Sequence, residues 1–365
     1  MTAARPTADG PPGPGDDTAR GTALDVSVVI AARDAEATLP AQLAALADQD
    51  TRCTWEVLVA DNGSTDRTRD VVLDAARRTG RVRLVDASAI RGAGAARNEA
   101  ARVARGRDLL FCDADDVVAP GWVDALHGAL RGSDMVAGRL EWERLNSRAA
   151  QGSRALPQVD GLQHTEPLPD LGCASSSNLA VRRTLFDRLG GFDVRARYLQ
   201  DTDLCWRAQL AGATLVFEPA AVVHMRLRPG LLGAWRQGRG TGMGQRWLAA
   251  RYAEVAARGS APSPWGAGGR GAGEQGAGRL GGPEAHGPGI GAESEAGRRW
   301  PARIARRAWL VAGEAARVRS RGDAARLSWS TGFGVGYARG GLPDPEPLRV
   351  EEPVCAGAGP GAGRG

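Results

Sequence analysis

The sequence predicts an α/β fold built on a mostly parallel sheet. From Asp25 onward, short apolar runs alternate with segments whose apolar residues recur every three or four positions. That alternation is typical of strands joined by helices in successive βα units. A second observation is a cluster of carboxylates at 113–116, directly after an apolar run. Ligand-binding side chains lie in this position in such folds, where the strands end.

Each element of the first half rests on its own pattern. Residues 26–30 form an unbroken apolar run, as expected of a strand buried on both faces. The segment after it places Leu39, Leu43 and Leu46 on one helical face. By the same criteria we predict strands at 26–30, 55–60, 82–85 and 108–112, and helices at 38–47, 65–78 and 94–105.

The second half is less regular. Between residues 134 and 171 the pattern loosens, which favours a pair of strands and a long loop. We then predict strands at 177–181 and 213–217, helices at 183–189 and 202–211, and a helical segment at 231–258. The domain boundaries that follow are a disordered tail at 1–24, an α/β domain at 25–228, a helical extension at 229–258, a Gly-rich linker at 259–299, an amphipathic helical segment at 300–340 and a disordered tail at 341–365.

Composition excludes several classes of protein. All of the 47 basic residues are Arg, and they are spread along the chain, whereas a nucleic-acid-binding protein concentrates positive charge on one face. The five cysteines are widely spaced without a CxxC pair, which argues against a disulfide framework or a zinc site and favours the reducing cytoplasm. We expect no signal peptide, and no run reaches the roughly 18 apolar residues of a membrane span.

The cluster Asp113, Asp115 and Asp116 carries the clearest chemistry. Three carboxylates this close repel one another, so they need water or a cation between them. Hard oxygen ligands suit Mg²⁺ or Mn²⁺, which usually bind together with phosphate. Taken alone, the cluster favours a solvated acidic turn over a cation site, and the surrounding chain reverses that preference.

Three further residues are candidates on position alone. Asp61 ends the second strand, where its carboxylate could bind a nucleobase or simply form a turn before a capped helix. Asp201 lies near a helix N-terminus, which would keep a general base ionised, although a helix cap explains it too. His224 follows the strand-like run 221–223 and is either structural or a metal ligand.

The run 92–98, Gly-Ala-Gly-Ala-Ala-Arg-Asn, imitates a dinucleotide-binding fingerprint. Two details oppose that interpretation. Arg97 stands where the third glycine should allow close helix packing, and five residues separate Asp86 from Gly92, whereas the fingerprint turns directly off its strand. A dinucleotide-dependent oxidoreductase therefore remains only as an alternative.

Six motifs, in order, resemble the family 2 glycosyltransferases of the GT-A fold. They are VSVVIAARDAEATL, VLVADNGSTDRT, GAGAARNEAA, LLFCDADD, GGFD and QDTDLCWR, and the resemblance covers residues 26–228. The resemblance implies a Rossmann-like, mostly parallel sheet flanked by helices, followed here by a C-terminal helical extension. It also implies bacterial cell-envelope biosynthesis through an inverting, metal-dependent reaction. In that reaction a sugar moves from a nucleoside-diphosphate sugar to an acceptor hydroxyl of a polysaccharide, a lipid-linked glycan or a small molecule.

The resemblance also assigns roles to residues. It implies that Arg33, Asp34, Asp61 and Arg97 hold the base of the nucleotide and that Asp113 lies near the ribose. The divalent metal, Mn²⁺ or Mg²⁺, is expected on Asp115 and His224, and the catalytic base is expected at Asp201.

Two departures from the family pattern keep an alternative open. Gln200 stands where a Glu usually precedes the base, and Ala31-Ala32-Arg33-Asp34 replaces the common Pro-Thr-Tyr-Asn. Gln200 gives weight to a non-catalytic nucleotide-sugar binding protein. Separately, Arg residues opposite Trp300, Ile304 and Trp309 suit either packing on the catalytic domain or an anionic membrane surface, at the inner face of the cell membrane.

Overall fold

The computed structural model describes residues 24–151, 157–228, 230–258 and 318–348. The predicted linker at 259–299 and the Arg-rich segment 300–317 lie outside the described residues. So do the N-terminal tail up to residue 23 and residues 349–365.

The first half of the chain alternates strands and helices as the sequence predicts. The βα units are regular because each apolar run is followed by a segment with helical periodicity. The elements are β1 (Leu24–Ala32), α1 (Leu39–Ala47), β2 (Trp55–Asp61), α2 (Thr68–Thr79), β3 (Val82–Asp86), α3 (Ala93–Val103), β4 (Gly106–Asp113), β5 (Val117–Val118) and α4 (Trp122–Ala129). Helix α4 was absent from the sequence-based assignment.

The second half supplies the remaining strands and the C-terminal helices. They are β6 (Met135–Glu141), α5 (Arg148–Gln151), β7 (Gln163–His164), β8 (Gly172–Cys173), β9 (Asn178–Arg182), α6 (Arg183–Arg188), α7 (Gln200–Leu210), β10 (Leu215–His224), α8 (Gly230–Arg251), α9 (Ala253–Ala257) and α10 (Arg321–Arg339). Strand β10 is longer than predicted, since it continues through the run before His224.

The main sheet has eight strands in the order β3-β2-β1-β4-β9-β6-β10-β5. The first four are parallel, β9 runs antiparallel to both of its neighbours, and β10 is parallel to β6. The predicted α/β class with a mostly parallel sheet is therefore confirmed. Because β4, β6 and β10 run in one direction, their carboxyl ends meet at the same edge as those of β1, β2 and β3.

Two apolar layers cover the two faces of the sheet. Alternate residues of each buried strand enter opposite layers, as Val28 and Val29 of β1 do. One layer packs α1, α2 and α4 on the sheet, and the other packs α3, α6, α7 and the end of α8. With helices on both faces, the ends of the strands are the part of the sheet left open to a ligand.

The C-terminal helix α10 packs along α8. The described part of the predicted segment 300–340 therefore lies against the protein. No helix among the described residues is long and apolar enough to cross a membrane.

The predicted disordered tail at 341–365 needs correction at its start. Residues 341–348 lie against the end of α8, where Leu348 N donates to Arg251 O (2.9 Å) and Arg251 Nη1 donates to Glu346 O (3.0 Å). Apolar contacts of Leu342 and Leu348 with the core explain why this stretch is held in place.

Candidate functional site

The candidate site lies at the carboxyl edge of the sheet. In register, Asp61 of β2 faces Ala32 of β1, and Ala31 of β1 faces Asp113 of β4. Asp61 and Asp113 are thus two strands apart, about 10 Å at ordinary strand spacing. Helix α7, which carries Asp201, begins at this edge beside the loop that precedes β9. The structure therefore brings together acids that lie far apart in sequence.

Asp113, Asp115 and Asp116 form a compact carboxylate cluster. One ligand oxygen from each lies within 4.8 Å of the others, and no other such group of His, Cys, Asp or Glu occurs in the part of the chain that is described. Burial, together with the charge of Asp113, raises the pKa of Asp115 and raises that of Asp116 well above its ordinary value. Ionising all three carboxylates is therefore unfavourable in the free protein. A hard divalent cation between them would remove the repulsion.

Residues just after β10 contact this cluster. Arg226 N donates to Asp116 Oδ1 (2.7 Å), and Arg226 Nε donates to Asp115 O (3.0 Å). The positive charges of Arg228 and Arg226 also lower the pKa of Asp115, against the larger effect of burial. Asp116 was part of the acid cluster predicted from sequence, but sequence reasoning did not identify Arg226 or Arg228 as site residues. Their signal was present in the alternation of His224, Arg226 and Arg228 directly after a strand.

His224 ends β10 at the same edge, but its Nδ1 is engaged by Glu141 Oε2 of the neighbouring strand. Burial alone would raise the pKa of Glu141, yet the His224 hydrogen bond and two backbone N–H donors lower it. An ionised Glu141 binds the Nδ1–H tautomer, which leaves Nε2 as the ring nitrogen able to bind a metal. His224 is not part of the compact carboxylate cluster in this structure. Glu141 was not recognised from sequence.

Asp61 is buried at the end of β2. Its Oδ1 accepts from Ser64 N (3.0 Å), and its Oδ2 accepts from Arg69 Nη1 (2.9 Å). Ser64 closes the turn that the sequence predicted, and Arg69 adds a cation that local patterns did not reveal. The carboxylate is oriented from two sides, as a nucleobase-binding acid requires.

Asp34 and Arg33 lie in the loop after β1. Asp34 Oδ1 accepts from Thr65 N (2.7 Å) and Thr65 Oγ1 (3.1 Å), while Asp34 N donates to Ser64 Oγ (3.0 Å). These bonds tie the loop after β1 to the loop after β2, which favours a supporting role for Asp34 over direct contact with a base. Arg33 is half-exposed, with its Nε 3.6 Å from Asp34 Oδ2.

Arg97 lies beneath the site with 3% of its side chain exposed. Its Nη2 donates to Asp113 Oδ1 (2.5 Å). With the Gln200 amide turned so that its oxygen faces donors and its nitrogen faces acceptors, Arg97 Nη1 donates to the Gln200 amide oxygen (3.2 Å). The guanidinium also lies over the Phe192 ring. A side chain this enclosed supports Asp113 and the start of α7, which differs from the direct contact with a base expected from sequence.

Asp201 and Asp203 both begin α7, and the structure separates their roles. Asp201 Oδ2 accepts from Ser176 N (2.9 Å) and Ser176 Oγ (3.2 Å), and Asp201 is only partly buried. Asp203 is fully buried between Arg207 Nε and Arg251 Nε (2.8 Å each), and it also accepts from Tyr252 Oη (2.8 Å). Asp203 thus anchors the helix, whereas Asp201 remains accessible at the edge.

The geometry around Gly92 does not support the dinucleotide alternative. Six residues, 87–92, separate the end of β3 from the start of α3. Asn62 holds this loop, since its Nδ2 donates to Ile90 O (2.8 Å) and its Oδ1 accepts from Gly92 N (2.9 Å). A dinucleotide fingerprint needs a tight turn with a free backbone at this point.

Part of the chain matches the model of a known family. Residues 27–190 match the model described as glycosyl transferase family 2. This range contains Asp61, Arg97 and the carboxylate cluster, and it ends before Asp201.

Two curated relatives and one solved structure illustrate the similarity. The chain is 37% identical over 92 residues to the UDP-Glc:alpha-D-GlcNAc-diphosphoundecaprenol beta-1,3-glucosyltransferase WfgD of Escherichia coli, which covers 25% of this chain and 35% of the relative. It is 31% identical over 206 residues to the succinoglycan biosynthesis protein ExoU of Rhizobium meliloti, covering 52% of this chain and 58% of the relative. The matched region thus spans less than two thirds of either relative.

The solved structure is a mannosyltransferase, PcManGT, of Pyrobaculum calidifontis, in complex with GDP-Man and Mn²⁺. The two chains share 18% identity with a TM-score of 0.51 over 88% of each. At this level of identity the similarity concerns the fold, which is GT-A.

Proposed function

We propose that the protein is a family 2 glycosyltransferase, whose model residues 27–190 match, and that it transfers a sugar from a nucleoside-diphosphate sugar to an acceptor hydroxyl with inversion at the anomeric carbon. The observation that carries this proposal is the meeting of three acidic sites at one sheet edge. Asp61, the cluster at Asp113, Asp115 and Asp116, and Asp201 lie there together.

The donor would bind along this edge from β2 to β10. The buried Asp61 carboxylate would accept hydrogen bonds from the imide or amide N–H of the base. Asp113, held by Arg97, would face the ribose. Arg226 and Arg228, which follow β10 beside the cluster, would bind the diphosphate oxygens as guanidinium groups commonly do.

Asp113, Asp115 and Asp116 would hold a divalent metal, Mn²⁺ or Mg²⁺, with His224 Nε2 as a further ligand. When bound, the ion would supply charge neutralisation for the departing nucleoside diphosphate. Arg226 and Arg228 would add positive charge at the same place.

Asp201 would act as the base. Its Oδ2 is oriented by Ser176, and its position at the start of α7 favours the ionised carboxylate. It would take the proton of the acceptor hydroxyl while that oxygen attacks the anomeric carbon opposite the departing diphosphate. Inversion follows from a single displacement. General-base assistance of this kind is commonly worth about 10²–10⁴-fold in rate.

A lipid-linked saccharide of the cell envelope is the acceptor class that we propose. The Escherichia coli relative is named as acting on a diphosphoundecaprenol-linked sugar.

Arg303, Arg306 and Arg307 in the segment 300–317 would bring the protein to an anionic membrane surface. Replacing these arginines by Ser should abolish sedimentation with phosphatidylglycerol vesicles. Unchanged sedimentation, or none by the wild type, would remove the membrane contact from the proposal.

The alternative is a protein that binds nucleotide sugars without turnover, in which Gln200 marks the loss of activity. The structure gives Gln200 another role, because its amide oxygen accepts from Arg97 while its nitrogen donates to Ala196 O and Arg197 O. Glutamine satisfies all three partners, so its presence does not by itself argue against catalysis.

One experiment separates these functions. The protein is screened by thermal shift against UDP-glucose, UDP-GlcNAc and GDP-mannose, with and without Mn²⁺, and the stabilising donor is then tested for release of the nucleoside diphosphate. Stabilisation that needs Mn²⁺, followed by diphosphate release, supports a transferase. Stabilisation without release supports the binding protein, and no response to any nucleotide sugar contradicts both.

A further inference from the structure

Helix α8 carries four glycines at alternate positions, Gly238, Gly240, Gly242 and Gly244. Residues four apart share a helical face, while residues two apart lie on nearly opposite sides. The helix therefore has one face made by Gly238 and Gly242, and an opposite face made by Gly240 and Gly244. Such a pattern allows close backbone approach on two sides at once.

The first face packs on α10. A methyl group on Gly238 or Gly242 would overlap the backbone oxygens of Trp329 and Phe333. The contact is reciprocal, because methyl groups on Gly332 and Gly336 of α10 would overlap backbone oxygens of α8. The two helix backbones are in direct contact at these glycines. If α8 slid along α10, larger side chains would enter these contacts and push the helices apart.

The second face packs on the two residues that precede α7. A methyl group on Gly240 would overlap the Tyr198 ring, and one on Gly244 would lie 2.8 Å from Tyr198 O and 3.0 Å from Leu199 Cγ. The first distance is one that Cβ atoms essentially never show, and the second is tighter than nine in ten of their contacts. The segment that leads into the candidate base is thus held directly against α8.

Leu199 shows why that support matters. It precedes the first residue of α7 with φ 58° and ψ 28°, the left-handed region that leucine seldom adopts, and no side chain caps the helix there. Such a conformation persists only where the surroundings enforce it. Asp201 lies two residues further on, so the direction of its carboxylate depends on this turn.

We infer that α8 is a positioning element of the active site: its Gly240–Gly244 face sets the Tyr198–Leu199 turn and thereby aims the Asp201 carboxylate, with α10 supporting α8 from behind. This inference rests on the proposed function for its consequence in catalysis. Its structural part, the coupling of α8 to the turn, stands independently.

The test compares glycine variants on different faces of the helix pair. Gly244→Ala should lower turnover of the donor found in the nucleotide-sugar screen by about 10²-fold, the loss typical of a displacement near 1 Å, with donor affinity unchanged. Gly334→Ala in α10 is the matched control, because a methyl group there meets nothing within 4 Å. It should retain wild-type turnover.

A second readout needs no substrate. Hydrogen exchange at the amides of 198–203 should accelerate in Gly244→Ala and stay unchanged in Gly334→Ala. If the wild type turns over none of the donors, the proposed function fails while exchange still decides the coupling. Wild-type exchange at 198–203 in folded Gly244→Ala would overturn the inference, as would equal losses of turnover in the two variants.

A double-mutant cycle covers the case in which Gly244→Ala does not fold. The three atoms nearest to a methyl group at Gly240 all belong to the Tyr198 ring, so removal of the ring should make room for the methyl group. Gly240→Ala should accelerate exchange at 198–203 in the wild-type background and have no further effect in Tyr198→Ala. Additive effects of the two substitutions would contradict a direct contact.

Discussion

Arg97 lies beneath Asp113 with its Nη2 2.5 Å from Asp113 Oδ1, and only 3% of the arginine side chain is exposed. Through Nη1 the same guanidinium reaches Gln200, the residue before Asp201. One buried cation thus connects the acid cluster after β4 to the start of α7. The candidate donor-binding residue Asp113 and the start of the helix that carries the candidate base are joined by two hydrogen bonds of this guanidinium, which explains how distant parts of the sequence keep a common geometry.

Arg97→Lys should break at least one of these two contacts. A lysine retains the charge but cannot direct two N–H groups to Asp113 and Gln200 at once. We expect a loss of about 1–3 kcal/mol in the free energy of unfolding, as for a buried group left without its partner, and weaker Mn²⁺ binding by calorimetry. Arg102→Lys is the control, because Arg102 forms only an exposed pair with Glu99 on the same helix. Equal stability of the two variants would disprove the connecting role.

Asp201→Asn should nearly abolish turnover, by about 10²–10⁴-fold, because the amide cannot accept the proton of the acceptor hydroxyl. The Ser176 contacts can be retained by the amide oxygen, so donor affinity and melting temperature should match those of the wild type. Initial rates and donor calorimetry measure the two quantities. Glu254→Gln, at an exposed acid in the first turn of α9, serves as control. A fully active Asp201→Asn would refute the assignment of the base.

Asp203→Asn should act on stability. The Asp203 carboxylate is fully buried and lies 2.8 Å from both Arg207 Nε and Arg251 Nε. Removing its charge takes the carboxylate partner from the enclosed Arg207 and one of two from Arg251, which keeps Asp193 at 3.3 Å. Breaking a buried pair commonly costs about 3–5 kcal/mol. Urea unfolding of the full chain measures the change. Asp187→Asn, at a half-exposed carboxylate 3.5 Å from Arg183, should cost less than about 1 kcal/mol.

The carboxylate cluster predicts a pH dependence. Because the pKa values of Asp115 and Asp116 are raised above 3.8, the folded chain keeps protons that the unfolded chain has already released. The stability contributed by these groups is therefore present below the ordinary carboxyl pKa and is lost as pH rises through the raised values. In metal-free buffer the melting temperature of the wild type should fall relative to Asp115→Asn between about pH 4 and 7.

Metal should reverse this loss. A divalent cation neutralises the ionised cluster, so Mn²⁺ should raise the melting temperature of the wild type more at pH 7 than at pH 5, and have little effect on Asp115→Asn. Parallel profiles for the two proteins, with and without Mn²⁺, would show that the cluster binds no metal.

Glu141→Gln tests the tautomer of His224. The ionised Glu141 favours the Nδ1–H form, whereas a glutamine can present either its oxygen or its nitrogen to the ring. Second ligand shells of this kind affect metal affinity by about 10–100-fold, and we expect a loss in that range for Mn²⁺ by calorimetry. Glu143→Gln changes an exposed acid two residues away and should bind Mn²⁺ normally. Equal affinities would indicate that His224 is not a ligand.

The parallel half of the fold was predictable because its signals are local. Apolar runs, helical periodicity and turn residues each lie within a short window, so β1 to β4 and the acids at their ends could be assigned. The order β9-β6-β10 depends on pairing between distant segments, and no local pattern encodes it. Helix α4 was missed because it follows the acid cluster closely, and that stretch was interpreted as the end of a strand and not searched for helical periodicity.

The site divides in the same way. Asp61, Asp113 and Asp201 stood out because each follows a strand or begins a helix. Asp34 and Arg97 were assigned by resemblance to the nucleotide base, but their side chains are engaged by Thr65 and by Asp113 with Gln200. Glu141 could not be found from its neighbours in sequence, because its partner His224 lies 83 positions away on an adjacent strand.

The alternating glycines of α8 also affect the order of folding. Each glycine lowers intrinsic helix stability by about 1 kcal/mol relative to alanine, so this 22-residue segment would be largely unstructured by itself. It becomes a helix only when its two neighbours are present to enclose it. During synthesis, the α/β core would therefore emerge complete in its strands yet inactive. Activity would arise only after α10, which ends at Arg339, has left the ribosome.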